Sequence, residues 1–101
     1  MNGPETITVD NLGTDNVFMV YINNYSTGSN DITDSNAVIR FYKPNGGGTQ
    51  TIFMPTETPR SERYFVVACY VSATGLSVIY PVLQFTNSDP GTDFSYCAAV
   101  L

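Results

Sequence analysis

AVIRFYKPNGGGTQTIFM, residues 37–54, decides the fold class. Its opening alternates, with Ala37, Ile39 and Phe41 on one side and Val38, Arg40 and Tyr42 on the other. Period-two alternation is the signature of a strand with one face buried, because successive side chains point to opposite faces. Pro44-Asn45-Gly46-Gly47-Gly48 follows. The proline presets φ and the glycines accept positive φ, so the chain turns there. Residues 50–54 (QTIFM) then resume a strand pattern. Strand, turn and strand in immediate succession predict an antiparallel hairpin, with Ile39 and Phe41 facing the core.

Working outward, no segment carries a helical period, whereas short strand signals recur between turn residues. Residues 6–9 form a β-branched run. Residues 17–23 (VFMVYIN) are apolar on both faces, as in a strand covered on both sides. Residues 63–71 (RYFVVACYV), 76–80 (LSVIY) and 82–86 are further strands, and Ala73-Thr74-Gly75 predicts a second hairpin between the first two of these. Regular alternation puts Cys69 on a face with Phe65, Val67 and Val71, opposite Tyr64, Val66, Ala68 and Tyr70. Pro81 interrupts an apolar run and marks a bulge, kink or edge. Residues 55–62 (PTETPRSE) are too long for a tight hairpin and suit a change of sheet. About seven short strands with one long crossover predict a mostly β, Greek-key sandwich of the Ig-like kind. The predicted division is a sandwich over residues 1–86, then a linker and an apolar C-terminal strand over residues 87–101. In that last segment Phe94, Tyr96, Ala98 and Val100 alternate with Ser95, Cys97, Ala99 and Leu101. A strand of this kind needs a sheet edge, in its own domain or in a neighbouring copy, and we read it as an assembly strand. Asp89-Pro90-Gly91 is a turn sequence that favours folding back.

The chain has 101 residues, 43% of them hydrophobic, enough for one core. Charged residues are 13%, about half the usual share. The net charge is −5, with Arg40, Lys43, Arg60 and Arg63 as the cations. Nucleic-acid binding requires a basic patch, and these four residues do not supply one. No run of about 18 apolar residues is present, so no membrane insertion by a helix is expected. The polar surface comes instead from Asn, Ser, Thr and Gly, a composition of extracellular or cell-surface β-proteins. The two cysteines, Cys69 and Cys97, either pair or remain as buried thiols. Pairing would close a loop of roughly 30 residues and contribute about 3–4 kcal/mol.

Chemistry-bearing constellations are sparse. Histidine is absent, which removes the commonest general base and zinc ligand. No two acids share a strand face and Lys43 sits at a strand end, so no enzymatic activity and no cofactor are expected. Asp31, Asp34 and Asn36 offer oxygen ligands of the type that suits calcium, as do Asp10, Asp15 and Asn16, and Asp89 with Asp93. None has EF-hand spacing, and Asx residues are the default turn formers. Asn24-Tyr25-Ser26 is an N-glycosylation sequon, or else a structural turn at a strand end. Tyr42, Tyr70 and Tyr80 could stack on sugar rings, or pack across strands.

Three blocks carry a resemblance: Gly3-Pro4-Glu5-Thr6-Ile7-Thr8, Tyr21-Ile22-Asn23-Asn24-Tyr25-Ser26, and Ser35-Asn36-Ala37-Val38-Ile39-Arg40-Phe41-Tyr42. In order and spacing they resemble an uncharacterised bacterial Ig-like domain family of secreted and surface proteins, with Tyr64-Phe65-Val66-Val67 in place of a later W-x-V-F strand. The resemblance spans roughly residues 3–85. It implies an Ig-like fold and a surface address, and it implies no catalytic activity. Family members carry a further strand before the first block and acids where this chain has Ala68 and Cys69, and residues 94–101 have no counterpart. The expected role is a non-catalytic structural module of an extracellular assembly, joining a protein partner or its own copies through strand edges. The alternative is a carbohydrate-binding module with a glycan partner.

Overall fold

A computed structural model describes residues 5–11, 16–24, 31–35, 37–42, 48–73 and 76–101. The chain folds as six strands among the described residues: β1 (Glu5–Asn11), β2 (Val17–Asn24), β3 (Val38–Tyr42), β4 (Thr49–Phe53), β5 (Tyr64–Ala73) and β6 (Leu76–Thr86). They form two antiparallel sheets, one of four strands in the order β1-β2-β5-β6 and one of two, β3-β4. A 3-10 turn spans Ile32–Ser35, and a single helical turn, α1, spans Ser95–Ala98.

The hairpin read from residues 37–54 is present, with Ile39 opposite Ile52 and Phe41 opposite Gln50. Gly48, at φ 89°, occupies the left-handed region at the entry to β4. The second hairpin joins β5 to β6, with Ala73 opposite Leu76. Residues 54–63 carry the chain from the small sheet to the large one without regular structure, the change of sheet that their prolines and length predicted.

β2 and β5 lie in the middle of the large sheet and are buried on both faces, as the two-sided apolar pattern of residues 17–23 required. On one face Val20, Ile22, Phe65, Val67 and Ile79 pack against Ile32, Ile39, Ile52 and Met54. On the other, Val17, Met19, Tyr21, Val66 and Cys69 pack against Cys97, with Tyr96 and Val100 alongside. The molecule therefore has three layers: the β3–β4 hairpin, the four-stranded sheet and the C-terminal segment.

Three expectations are corrected. Residues 76–80 and 82–86 are one strand rather than two, so the described strands number six. Pro81 lies within β6 opposite Ala68, and β6 is an edge strand, where a missing N–H is tolerated. The irregularity expected at Pro81 is there: Val66 pairs with Gln84 but Ala68 with Pro81, and Leu83 takes φ 58°.

The second correction concerns the faces of β5. Val20 pairs with Ala68 and the next residue, Tyr21, pairs with Val66, leaving Val67 as the extra residue of a bulge. Val67 and Ala68 consequently point to the same face, and the alternation changes phase. Cys69 thus shares a face with Val66 and Val71, not with Phe65 and Val67.

The third correction concerns residues 94–101. They form no strand, and Phe94, Tyr96, Ala98 and Val100 do not line one edge. The N–H of Ala98 donates to the Phe94 carbonyl at 2.9 Å, and that of Leu101 to the Cys97 carbonyl at 3.0 Å. The Asp93 carboxylate accepts from the Ser95 N–H at 3.0 Å and from its hydroxyl, which starts the turn. Tyr96, Cys97 and Val100, spaced i, i+1 and i+4, face the sheet, while Phe94, Ala98 and Leu101 face outward.

Candidate interaction site

The small sheet has two strands over four, so β3 has a neighbour on one side only among the described residues. The ladder fixes which of its backbone groups are spoken for. The N–H of Met54 donates to the Ala37 carbonyl at 2.9 Å. In an antiparallel ladder hydrogen-bonded pairs alternate with non-bonded ones. Ala37, Ile39 and Phe41 therefore direct their backbone groups at β4. Val38, Arg40 and Tyr42 direct theirs at the open edge.

Beside that edge lies an apolar groove of about 380 Å³. One wall is β3 itself, Val38 to Tyr42. The other draws on every strand of the large sheet, through Val9 of β1, Val20 of β2, Tyr70 of β5 and Ile79 of β6. Val9, on the rim of this groove, is 58% exposed, a large value for a side chain bordering an apolar cleft. An uncovered strand edge beside uncovered apolar side chains is the combination that β-strand addition uses.

Arg40 is the one charged residue among those lining the groove. The Arg60 guanidinium bonds the Glu62 carboxylate and lies 4.8 Å from the Phe85 ring centre. That bond holds Glu62 below the usual carboxylate range and raises Arg60. The Arg63 side chain donates to Asn23 Oδ1 at 3.0 Å. Arg40, exposed on β3, has no such partner among the described residues.

The residues singled out in the sequence are scattered. Cys69 and Cys97 form a disulfide with Cα atoms 5.6 Å apart, and both are 0% exposed. It joins the central strand of the large sheet to the C-terminal segment, on the face away from the groove. Asn24 ends β2 with its N–H bonded to the Arg63 carbonyl at 2.8 Å. Asn24 is 6% exposed, the burial expected of the structural turn, the second of the two readings of this sequon. Tyr25 and Ser26 lie outside the described residues. Of the calcium candidates, Asp31 is half-buried and Asp34 falls in the 3-10 turn, while Asn36 lies outside the described residues. That turn is tied to the crossover, the Ile32 N–H donating to the Arg60 carbonyl and the Arg60 N–H to Thr33 Oγ1. Among the described residues no three His, Cys, Asp or Glu side chains cluster as metal ligands would. Tyr42, Tyr70 and Tyr80 fall on three surfaces. Tyr42 is on the outer face of β3, Tyr70 lines the groove, and Tyr80, opposite Cys69, is on the far face of the large sheet.

Among the described residues no helix is long and apolar enough to cross a membrane. No family model matches the chain, and the search found no match among curated proteins or solved structures.

Proposed function

We propose that this chain is a non-catalytic, Ig-like interaction module of an extracellular or cell-surface assembly, and that it holds a partner protein by adding the partner's strand to β3. The observation that carries this reading is the open β3 edge lying along an apolar groove floored by all four strands of the large sheet. The buried disulfide supports the address, since such bonds form and persist in oxidising compartments. The resemblance to the Ig-like surface family supports the same reading from the sequence side. Main-chain hydrogen bonds to Val38, Arg40 and Tyr42 supply affinity in this mode, and every second partner side chain enters the groove and supplies selectivity.

An Arg40→Pro substitution tests it. Proline removes the outward N–H of residue 40 and leaves the bonds to β4 untouched, and an edge strand tolerates it. On an array of extended decapeptides with apolar residues at alternate positions, the wild-type chain should retain a subset and the Arg40→Pro chain should retain none, with circular dichroism unchanged. Equal retention by both chains would refute the edge as the site. A carbohydrate-binding reading has one observation in its favour: Tyr42 and Phe53, 76% and 67% exposed, share the outer face of the small sheet. Saturable binding on a glycan array that survives Arg40→Pro and is lost with Tyr42→Ala would establish it instead.

A further inference from the structure

We infer that the strand seated on β3 is acidic at its centre, with a carboxylate opposite Arg40 flanked on both sides by apolar residues. This rests on the edge reading above and names the chemistry of the partner. Arg40 is the middle of the three residues whose backbone groups face the open edge. A residue paired with it would lie in a hydrogen-bonded pair, with Cα atoms about 5.5 Å apart and both side chains on the outer face. At that spacing opposite charges attract and like charges repel. Arg60 and Arg63 are engaged with Glu62, Phe85 and Asn23, so Arg40 is the described arginine left to be matched from outside.

The pleat then dictates the rest of the motif. Partner residues on either side of the acid point the other way, into the groove, where Val9, Val20, Tyr70 and Ile79 offer apolar surface. A volume of about 380 Å³ falls at the lower end of the roughly 300–1,000 Å³ typical of occupied clefts, room for two branched side chains rather than a large ligand. Residues two away from the acid return to the outer face beside Val38 and Tyr42. The motif is therefore β-branched, apolar, acidic, apolar, β-branched.

The same geometry disfavours a second copy pairing β3 with β3. A symmetric antiparallel pair centred on residue 40 places Arg40 opposite the partner copy's Arg40, two like charges in direct register. The net charge of −5 does not reverse the preference for an acid at physiological ionic strength. Remote charges are screened beyond about 8 Å there, whereas the contact pair is not.

The test uses the full chain and three labelled peptides, acetyl-Gly-Thr-Val-X-Val-Thr-Gly-amide, with X as Glu, Gln or Lys. Binding is read by fluorescence anisotropy, and the site by amide shifts and exchange protection at residues 38, 40 and 42. The expected order is Glu over Gln over Lys, with about five- to tenfold between the extremes, and Arg40→Glu should invert it. Arg40→Gln, neutral at the same exposed position, should level the three. If all three peptides protect residues 38, 40 and 42 equally, the acidic motif is wrong and the edge reading stands. If a concentration-dependent dimer protects them without peptide, the edge is filled by a second copy and the acidic motif is wrong; if none of the peptides perturbs those amides and no dimer forms, the edge reading itself fails and takes the motif with it.

Discussion

Replacing both Cys69 and Cys97 by alanine probes what holds the third layer in place. The bond spans a sequence separation of 28 residues. Closing a loop of that length removes about 12 cal/mol/K of chain entropy from the unfolded state, or about 3.6 kcal/mol at 25 °C. The segment it anchors contributes less. Tyr96 and Val100 are only half-buried on the sheet, and their contacts bury far less area than full core residues. Alanine is the suitable replacement because both sulfurs are fully buried and a serine hydroxyl would be stranded there. We expect the double variant to lose about 3–5 kcal/mol in urea unfolding, equivalent to about 15–25 °C in Tm for a chain of this size. Typical domains have only about 5–15 kcal/mol in total, so the variant should sit near the edge of foldedness. With the tail released, the Val17, Met19, Tyr21 and Val66 face becomes accessible, and a hydrophobic dye should bind. A companion measurement on the native protein follows from burial: reduction by dithiothreitol should proceed only as fast as the segment opens. A loss under about 1 kcal/mol, or reduction at the rate of an exposed disulfide, would refute the view that this bond clamps a covering layer.

Other consequences are equally direct. Deleting Val67 should leave the Cys69–Cys97 disulfide intact by non-reducing peptide mapping, because the bulge then closes and Val20 and Tyr21 keep Ala68 and Val66 as partners; two alkylatable thiols in a folded deletion variant would show that β5 has no bulge. Phe65→Ala should cost about 3–5 kcal/mol as a fully buried aromatic, with half-buried Phe41→Ala costing clearly less by the same denaturant titration. Glu62, held below the usual carboxylate range by its bond to Arg60, stabilises the fold fully above the ordinary value near 4.3 and loses that contribution as pH falls through its lower folded value. Glu62→Gln should therefore flatten the acid limb of a Tm-against-pH curve in that window, and an unchanged limb would count against the pair. Leu83→Asn should raise stability by about 0.5–1 kcal/mol, since Leu83 sits at φ 58° on an exposed edge and asparagine tolerates that conformation; a loss in thermal melts would show that its side-chain contacts outweigh the backbone strain.

Much of the architecture was legible because the physics acting on it is local. Alternation at residues 37–42 and the two-sided apolar run at residues 17–23 each report a neighbour-to-neighbour constraint, and each led to the right element; of the Pro-Asn-Gly-Gly-Gly stretch between β3 and β4, residues 44–47 lie outside the described residues. The phase change in β5 was not legible. A bulge is imposed by pairing with β2 and β6 at once, and RYFVVACYV is apolar throughout the affected stretch, so the slip leaves no polar residue out of place. The tail was misread for a related reason. Eight residues with apolar side chains at alternate positions also place Tyr96, Cys97 and Val100 on one side of a helical turn, and over so short a run the two periods are indistinguishable. In the helical turn the Asp93 carboxylate accepts from the Ser95 N–H, a contact visible in the sequence only as an acid two residues before a serine. For the candidate site, the β3 strand and Arg40 were legible as an outward-facing set, but Val9, Tyr70 and Ile79 come from three other strands and meet only through the two-over-four arrangement of sheets.

The sheet edges differ in ways that bear on the proposed strand addition to β3. β6, the far edge of the large sheet, is blunted twice: Pro81 removes a donor, and the bend around Leu83 at φ 58° breaks the run of outward groups. These are the devices by which natural sheets discourage unwanted pairing. β3 carries neither proline nor bulge, and its five residues pair with β4 in unbroken register. Its one charge, Arg40, is exposed at the rim of the groove, where it would discriminate among incoming strands without barring them. β1 and β4 are regular edges as well, but of the two strands of the small sheet only β3 lines the apolar groove, and the incoming strand is placed there for that reason. The same contrast gives a control: a proline placed at Tyr42, the other end of the open edge, should abolish strand addition as Arg40→Pro should, whereas replacing Pro81 by valine should open a second edge and increase self-association over the wild-type chain in analytical ultracentrifugation.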